Sequence, residues 1–275
     1  MFSALLRLVA RLPLSVNHAF GSALGLLVYG VSPTYRRQLR ENLLGSGIPG
    51  AANLITTAAS ETGKGATELA ALWFACAERL NTWMQCDSWP VVAAAHARGK
   101  GVVVVTPHLG GFETTAFYIA QRLPMTVMYR PPKLRWLEPV MLAGRGRFGA
   151  SVVPANIKGV RSFYRALKHG EIVGLLPDQT PGVGDGVWAD FFGRPAYTMT
   201  LVTRLCEATG AALIVMYAQR LPRGTGFQIH FEEISTTGLD EMKLNQAVES
   251  VVRRCPEQYL WGYNRYKVPA GASPP

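Results

Sequence analysis

The sequence predicts an α/β fold, with a largely parallel central sheet flanked by helices and a helical segment at the N-terminus. Two observations carry this. From residue 101 onward, short apolar runs alternate with stretches of about a dozen residues at helical period, the pattern of βαβ units. The 275 residues are 48% hydrophobic and 17% charged, too apolar for disorder and enough to bury a large core.

The elements follow in chain order. The first 45 residues have apolar positions interrupted by Arg7, Arg11 and His18, and the cleanest uncharged run, 19–31, is shorter than the roughly 20 residues that cross a bilayer. No convincing small-residue cleavage site follows an apolar core, which speaks against a cleaved signal peptide. The segment reads as a hairpin of interfacial or shallowly inserted helices, with Arg7, Arg11, Arg36, Arg37 and Arg40 available to anionic headgroups. Two ordinary helices packed on a domain would show the same pattern. This divides the chain into 1–45, a membrane-anchoring segment, and 46–275, an α/β domain. After "GSGIPG", residues 50–84 are helical in period, and Trp73, Phe74 and Trp83 fit either a core or a lipid groove.

Beyond residue 100, "GVVVVT" (101–106) is a buried strand and "FETTAFYIAQRL" (112–123) a helix. "MTVMYR" is a strand, "LRWLEPVMLAGR" a helix, "SVVPA" a strand, "NIKGVRSFYRALKHG" a helix ending at Gly170, and "EIVGLLP" a strand. "TMTLVTRLCEATG" (198–210) reads as a helix, "AALIVMYAQR" and "GFQIHFEEI" as strands, and "LDEMKLNQAVESVVRRC" as a helix.

Composition narrows the chemistry. The four cysteines form no CxxC pair and the five histidines no HExxH, so neither a disulfide framework nor a metal site is expected. The 28 Lys and Arg against 18 Asp and Glu leave +10, which suits an anionic partner: a lipid headgroup, an acidic carrier or a nucleic acid. The basic residues are dispersed and no nucleic-acid recognition module is present, so no nucleic acid is expected as partner.

In a parallel sheet, functional groups gather beyond the carboxyl ends of the strands. Three segments share that rim: "TPHLGGFE" (106–113), "YRPP" (129–132) and "LLPDQTPGVGDGVWADFFGRPAYT" (175–198). His108 follows the first strand, and Glu113 stands in the first turn of the next helix, where the macrodipole favours its ionised form. The histidine can fold back so that Nδ1 donates to Glu113 and Nε2 is left as a base. An isolated turn histidine beside a capping carboxylate would have the same spacing. With no nucleophile adjacent and no G-x-S-x-G elbow, the substrate must supply the attacking group, such as a hydroxyl. Backbone N–H groups of Gly110 and Gly111 are candidates for an oxyanion site, with arginine as the alternative.

"HLGGFE" resembles the HxxxxD/E motif of the lysophospholipid and glycerol-phosphate acyltransferase superfamily. The ordered set "RRQLRENL" (36–43), "VMYRPPK" (127–133), "GVRSFYRALKHGEIVGLLPDQ" (159–179), "FFGRPAYT" (191–198) and "QYLWGYNRYK" (258–267) resembles more particularly the lipid A late acyltransferases, of lauroyl or myristoyl type. The resemblance implies a glycerol-phosphate-acyltransferase-like fold and transfer of a fatty acyl chain from acyl-acyl carrier protein to a 3-hydroxyacyl hydroxyl of a Kdo-bearing lipid A precursor. His108 would be the general base and Glu113 its acidic partner, with no cofactor. Arg130, Lys133, Arg135, Arg145, Arg147 and Arg161 become candidates for phosphate or the carrier, although each could be solvated surface. Gln179 is a candidate for the sugar, Asp178 for a structural pair with an arginine, and Phe191 and Phe192 for an acyl-chain wall, unless they are core. Acyl carrier protein, the lipid A precursor and anionic inner-membrane lipids are the implied partners, and the cytoplasmic face of the inner membrane the implied location, with peripheral or monotopic attachment. The alternatives are another membrane acceptor (a lysophospholipid, glycerol phosphate or an ornithine lipid) and, more distantly, a non-catalytic anion-binding or nucleic-acid-binding protein.

Overall fold

The computed structural model describes residues 10–132 and 134–275; Arg7 and Lys133, both among the candidate cations, lie outside them. The sheet strands are β1 (Met84–Cys86), β2 (Val102–Val105), β3 (Met125–Tyr129), β4 (Ser151–Pro154), β5 (Ile172–Leu175), β8 (Ala212–Arg220) and β9 (Phe227–Ile234), in the order β1-β9-β8-β2-β5-β3-β4. All neighbours are parallel except β8 and β9, an antiparallel pair. β2 lies in the middle, with Val102 opposite both Ile172 and Ala212, and its four valines are wholly buried because helices cover both faces.

Alternate side chains of each strand feed two cores. Val103, Val105, Val173, Leu175, Leu213 and Val215 pack with Phe163 of α8 (Ile157–Lys168), Leu205 of α9 (Leu201–Thr209) and Val248 of α10 (Glu241–Val252). Val102, Val104, Ile172, Ile214 and Met216 pack on the other side with Phe117 of α6 (Glu113–Ala120), Trp73 of α3 (Ala51–Phe74) and Leu80 of α4 (Ala77–Trp83). Trp73 and Trp83 are buried here, which decides between core and groove for both. The remaining helices are α5 (Trp89–Ala97) and α7 (Glu138–Arg145).

Helix α5, strand β1 and one hairpin were not read from sequence. The three-residue β1 is too short to show a period. The segment expected to start a helix at Thr198 instead ends an antiparallel hairpin, β6 (Gly186–Phe191) with β7 (Arg194–Met199), whose turn places Phe192 and Gly193 at positive φ. Thr198 is held in the strand because it is fully buried and its hydroxyl accepts from Asn245 and Arg265.

At the N-terminus, α1 (Leu14–Val31) and α2 (Pro33–Leu44) are joined by Ser32, whose hydroxyl caps α2. Gly21 and Gly25 of α1 press against Gly63 of α3, so closely that a Cβ at any of the three would enter the other helix's backbone. The opposite face leaves Val16, Phe20, Leu27 and Val31 exposed, Phe20 at 65%. The helix has a mean hydropathy of 1.3 and is long and apolar enough, by length and composition alone, to be a candidate membrane span. Its 18 residues extend ~27 Å, near the hydrocarbon thickness of a bilayer. This apolar helix suggests membrane association.

Because α1 docks through glycines, Gly63→Leu should lower stability by about 1–3 kcal/mol, whereas Gly30→Leu, where an added Cβ meets nothing within 4 Å, should leave it unchanged. Thermal melts of the two variants beside the parent check this, and equal melting temperatures would show that the α1 contact contributes little.

Candidate functional site

The site forms where the chain leaves β2 and β5. These strands are parallel neighbours ending in register at Val105 and Leu175, so the loops that follow emerge side by side. Thr106 N–H still donates to the Leu175 carbonyl at 3.2 Å. Two residues further on, His108 meets Asp178: its backbone N–H donates to Oδ2 at 2.9 Å and its Nδ1 bonds Oδ1 at 2.8 Å. The expected bond from Nδ1 to Glu113 is therefore not the one formed. The loop after a parallel neighbour reaches the ring, whereas Glu113 opens α6 and faces another partner.

That partner is Arg145, the last residue of α7. Its Nε donates to Oε1 and Oε2 of Glu113 at 2.9 and 3.2 Å, and its Nη2 adds a third hydrogen bond to Oε1. Burial alone would lower the Arg145 pKa; the Glu113 carboxylate outweighs it and raises the pKa above its ordinary value. Arg145, a candidate for phosphate or the carrier, is thus engaged in an ion pair.

Asp178 was expected to pair with an arginine. It pairs with His108, and Arg265 adds its field from nearby. Burial would raise the Asp178 carboxyl, but His108, through charge, ring and backbone N–H, together with Arg265, holds it below the usual carboxylate value. Under Asp178 lies Tyr259, whose phenol burial, then the Asp178 charge, push well above its ordinary value.

Gln179 extends the pair. Its Nε2 lies 3.1 Å from His108 Nε2. An amide N–H can only donate, so Nε2 accepts and the ring proton is on Nδ1, facing Asp178. This neutral tautomer is the one a base working at Nε2 requires. The ring also packs on Phe112, with centroids 5.1 Å apart.

The glycines do other work than expected. Gly110 N–H donates to the Gln258 carbonyl at 3.1 Å and Gly111 N–H to the Ala218 carbonyl at 2.8 Å, so neither is open to an oxyanion. Gly110 adopts φ +57°, and a side chain there would enter the Ala218 carbonyl, while one at Gly111 would enter the Phe227 ring. Close packing of the loop requires both.

Other candidates are dispersed. Arg147 donates to the Leu72 carbonyl at 2.9 Å and to that of Ala75, bracing the end of α3 rather than facing a ligand. Arg130 and Arg161 are exposed, and among the described residues neither forms an ion pair. Phe191 and Phe192 are buried with Tyr259, Trp261 and Tyr266 in the core on the other face of the sheet, and neither lines the apolar cavity beside Glu113. That cavity, about 40 Å³, lies between α6, β3 and β5. Thr106, Phe112, Glu113 and Arg145 line it together with Met125, Val127, Met128, Leu175 and Met216. It stays open because position 174 is glycine: a Cβ would stand 2.5 Å from Met125 Cε.

The C-terminal segment was not recognised as part of the site. Leu260 N–H donates to the His108 carbonyl at 3.0 Å, Leu109 bridges to Tyr259, and the Tyr263 hydroxyl accepts from Thr180 N–H at 3.1 Å. The aromatic run "QYLWGY" is its only sequence trace, since irregular backbone carries no period. Among the described residues, no group of three or more His, Cys, Asp or Glu side chains is arranged to hold a metal ion, and the four cysteines are free.

A carboxylate-held histidine whose second nitrogen is a hydrogen-bond acceptor is equipped to deprotonate a substrate hydroxyl. The comparisons agree with this class of enzyme. Residues 1–268 match the family described as bacterial lipid A biosynthesis acyltransferase. The chain is 29% identical over 218 residues to the lipid A biosynthesis palmitoleoyltransferase of Escherichia coli (strain K12), covering 77% of this chain and 71% of that protein. It is 28% identical over 215 residues to the lauroyltransferase of lipid A biosynthesis from the same strain, covering 74% and 69%. A phosphatidylinositol mannoside acyltransferase of Mycobacterium tuberculosis (strain CDC 1551 / Oshkosh) is 28% identical over 160 residues, 56% of this chain and 50% of that protein. The protein is an acyltransferase. It belongs to the bacterial lipid A biosynthesis acyltransferase family.

The depressed pKa of Asp178 gives a signed pH dependence. Its folded pKa lies below its unfolded value, so its contribution is complete above about pH 4 and is lost as pH falls through the folded pKa. Asp178→Asn should cost about 1–3 kcal/mol at pH 7, and the gap from the parent should close on acidification. Denaturant titrations from pH 7 to pH 3 measure it, and a gap independent of pH would mean that Asp178 is not ionised in the folded protein.

Proposed function

We propose that this acyltransferase moves a fatty acyl chain from acyl-acyl carrier protein to a 3-hydroxyacyl hydroxyl of a Kdo-bearing lipid A precursor, at the cytoplasmic face of the inner membrane. The observation that carries the chemistry is the His108–Asp178 bond, which presents Nε2 as an acceptor next to the cavity. The acceptor hydroxyl takes the place of the Gln179 amide. His108 Nε2 then removes its proton, the oxygen attacks the thioester carbon, and a tetrahedral oxyanion forms. Collapse breaks the C–S bond, and the carrier thiolate leaves with the proton from Nε2–H, restoring the neutral ring.

Glu113 keeps its place in the catalytic set, acting through Arg145: it fixes a cation at the cavity wall, and we assign that cation to the oxyanion. The cavity below, about 40 Å³ as it stands, is assigned to the acyl chain and must widen to admit it. Arg130, Lys133 and Arg161 are assigned to the phosphates of the acceptor or the acidic carrier. Residues 1–45 attach the protein to the membrane, in peripheral or monotopic fashion, with the exposed face of α1 among acyl chains and Arg37 and Arg40 near anionic headgroups. Residues 46–275 form the catalytic domain, read as glycerol-phosphate-acyltransferase-like. The relative that acylates phosphatidylinositol mannoside supports a second reading, with another membrane glycolipid as acceptor.

Detergent-solubilised full-length protein, given carrier thioesters of several chain lengths and a tetraacylated Kdo-bearing precursor, should add one chain. His108→Ala should abolish turnover, and Glu113→Ala should lower it roughly tenfold to a thousandfold. Equal initial rates for His108→Ala and the parent would exclude the mechanism, and transfer to phosphatidylinositol mannoside alone would favour the second acceptor. Filling the cavity provides a separate check: Gly174→Ala should reduce kcat/KM for the longest donor used about tenfold more than for a donor several carbons shorter. A uniform reduction across chain lengths would place the acyl chain elsewhere.

A further inference from the structure

A buried polar network joins the membrane-facing helix to the histidine loop. His18, on the docked face of α1, has Nε2 2.9 Å from Glu68 Oε2 of α3. Arg220, at the end of β8, grips Glu68 with Nε and Nη2 at 2.9 and 2.8 Å and Glu61 with Nη1 at 3.2 Å. The same Nη2 donates at 2.8 Å to the carbonyl of Gly110, two residues after His108. The Arg220 backbone is itself fixed by Gln258, whose side chain accepts from Arg220 N–H at 2.7 Å and donates to its carbonyl at 3.1 Å; the Gln258 carbonyl in turn accepts from Gly110 N–H. Both polar groups of the Gly110 backbone therefore end on this network. An independent apolar contact runs in parallel: the Phe227 ring stands edge-on to His18, at 6.2 Å between centroids, and closes against Gly111.

The side chains of His18, Glu68, Arg220 and Glu61 are 6, 2, 5 and 9% exposed. Burial by itself would raise the Glu68 carboxyl, but Arg220 and His18 outweigh it and keep it ionised. Removing such charges from water is costly, and packing alone could join two helices more simply. A guanidinium whose geometry is fixed by two carboxylates does what apolar packing cannot: it holds one carbonyl of an irregular loop at a defined point.

We propose that Arg220 is a positioning residue for His108, that Glu68 and His18 fix Arg220 in turn, and that α1 is thereby part of the active-site assembly as well as a membrane attachment. The proposal rests on the reading of His108 as the base. It concerns where the loop stands and involves no contact between these residues and substrate.

The test uses full-length protein in detergent, with kcat and KM for acyl transfer measured alongside the ¹⁵N ring signals of His108, which need no substrate. Arg220→Lys keeps the charge but cannot hold two carboxylates and the Gly110 carbonyl together. It should lower kcat at least about tenfold with KM within about threefold, and shift the His108 ring signals, as displacement of a reacting group by about 1 Å would. His18→Leu should lower kcat about fivefold or more, and His18→Gln, which keeps a donor where Nε2 stood, should restore it to within about twofold. Should Arg220→Lys fail to fold, the two His18 variants decide. Parental kcat and ring signals in folded His18→Leu would overturn the proposal. So would a loss of kcat that matches only the fraction unfolded, with His108 unshifted in the remainder. If the parent transfers no acyl group to the lipid A precursor, the choice of acceptor is wrong; the ring signals of the variants still report on the network.

Discussion

Two parallel strands that end level with each other govern this active site. Because β2 and β5 stop in register, the residues three beyond each, His108 and Asp178, stand within hydrogen-bonding distance, and their loops need no long excursion to meet. A central strand with neighbours on both sides is also the least mobile part of a sheet, so His108 inherits the rigidity of the core. The remaining arrangements act on this pair: Gln179 meets the other ring nitrogen, Tyr259 and Arg265 surround the carboxylate, and the C-terminal segment braces the His108 carbonyl.

The two carboxylates near the site have separate partners, and the separation is electrostatically sensible. Two anions sharing one imidazole would repel each other, and one would take up a proton. With Glu113 bound by Arg145 and Asp178 by His108, each carboxylate has its own partner in a nearly dry environment. The cost of burying each is offset by directed hydrogen bonds, from the Arg145 guanidinium to Glu113 and from the His108 ring and backbone N–H to Asp178.

Much of this was legible in the sequence, for physical reasons that also set the limit. The valines of β2 and the dozen-residue periods of the helices after it register burial on both faces, and they gave the alternating α/β order. His108, Glu113, Asp178 and Gln179 were all placed on the correct rim. Which carboxylate serves the histidine was not legible, because proximity along the chain favoured Glu113 while proximity in space depends on the order of strands. The roles of Gly110 and Gly111 were misread for a related reason: a glycine next to a histidine looks like an open N–H until the partner strand that occupies it, here β8 at Ala218, is known. Phe191 and Phe192 lie in a hairpin whose turn gives no indication of the sheet face it covers. The His18–Glu68–Arg220 cluster joins residues about 50 and 150 positions apart, a separation at which sequence patterns carry no information.

The hydrogen bond between Gln179 and His108 bears on fidelity. A thioester bound beside a free imidazole is a target for water, and an enzyme handling an activated chain wastes it each time hydrolysis precedes transfer. Here the lone pair that would activate water is already occupied by an amide donor at 3.1 Å. Any nucleophile must first displace that donor. Under the proposed reaction, a lipid hydroxyl arrives with the binding energy of its whole molecule to do so, whereas a water molecule arrives with only its own hydrogen bonds.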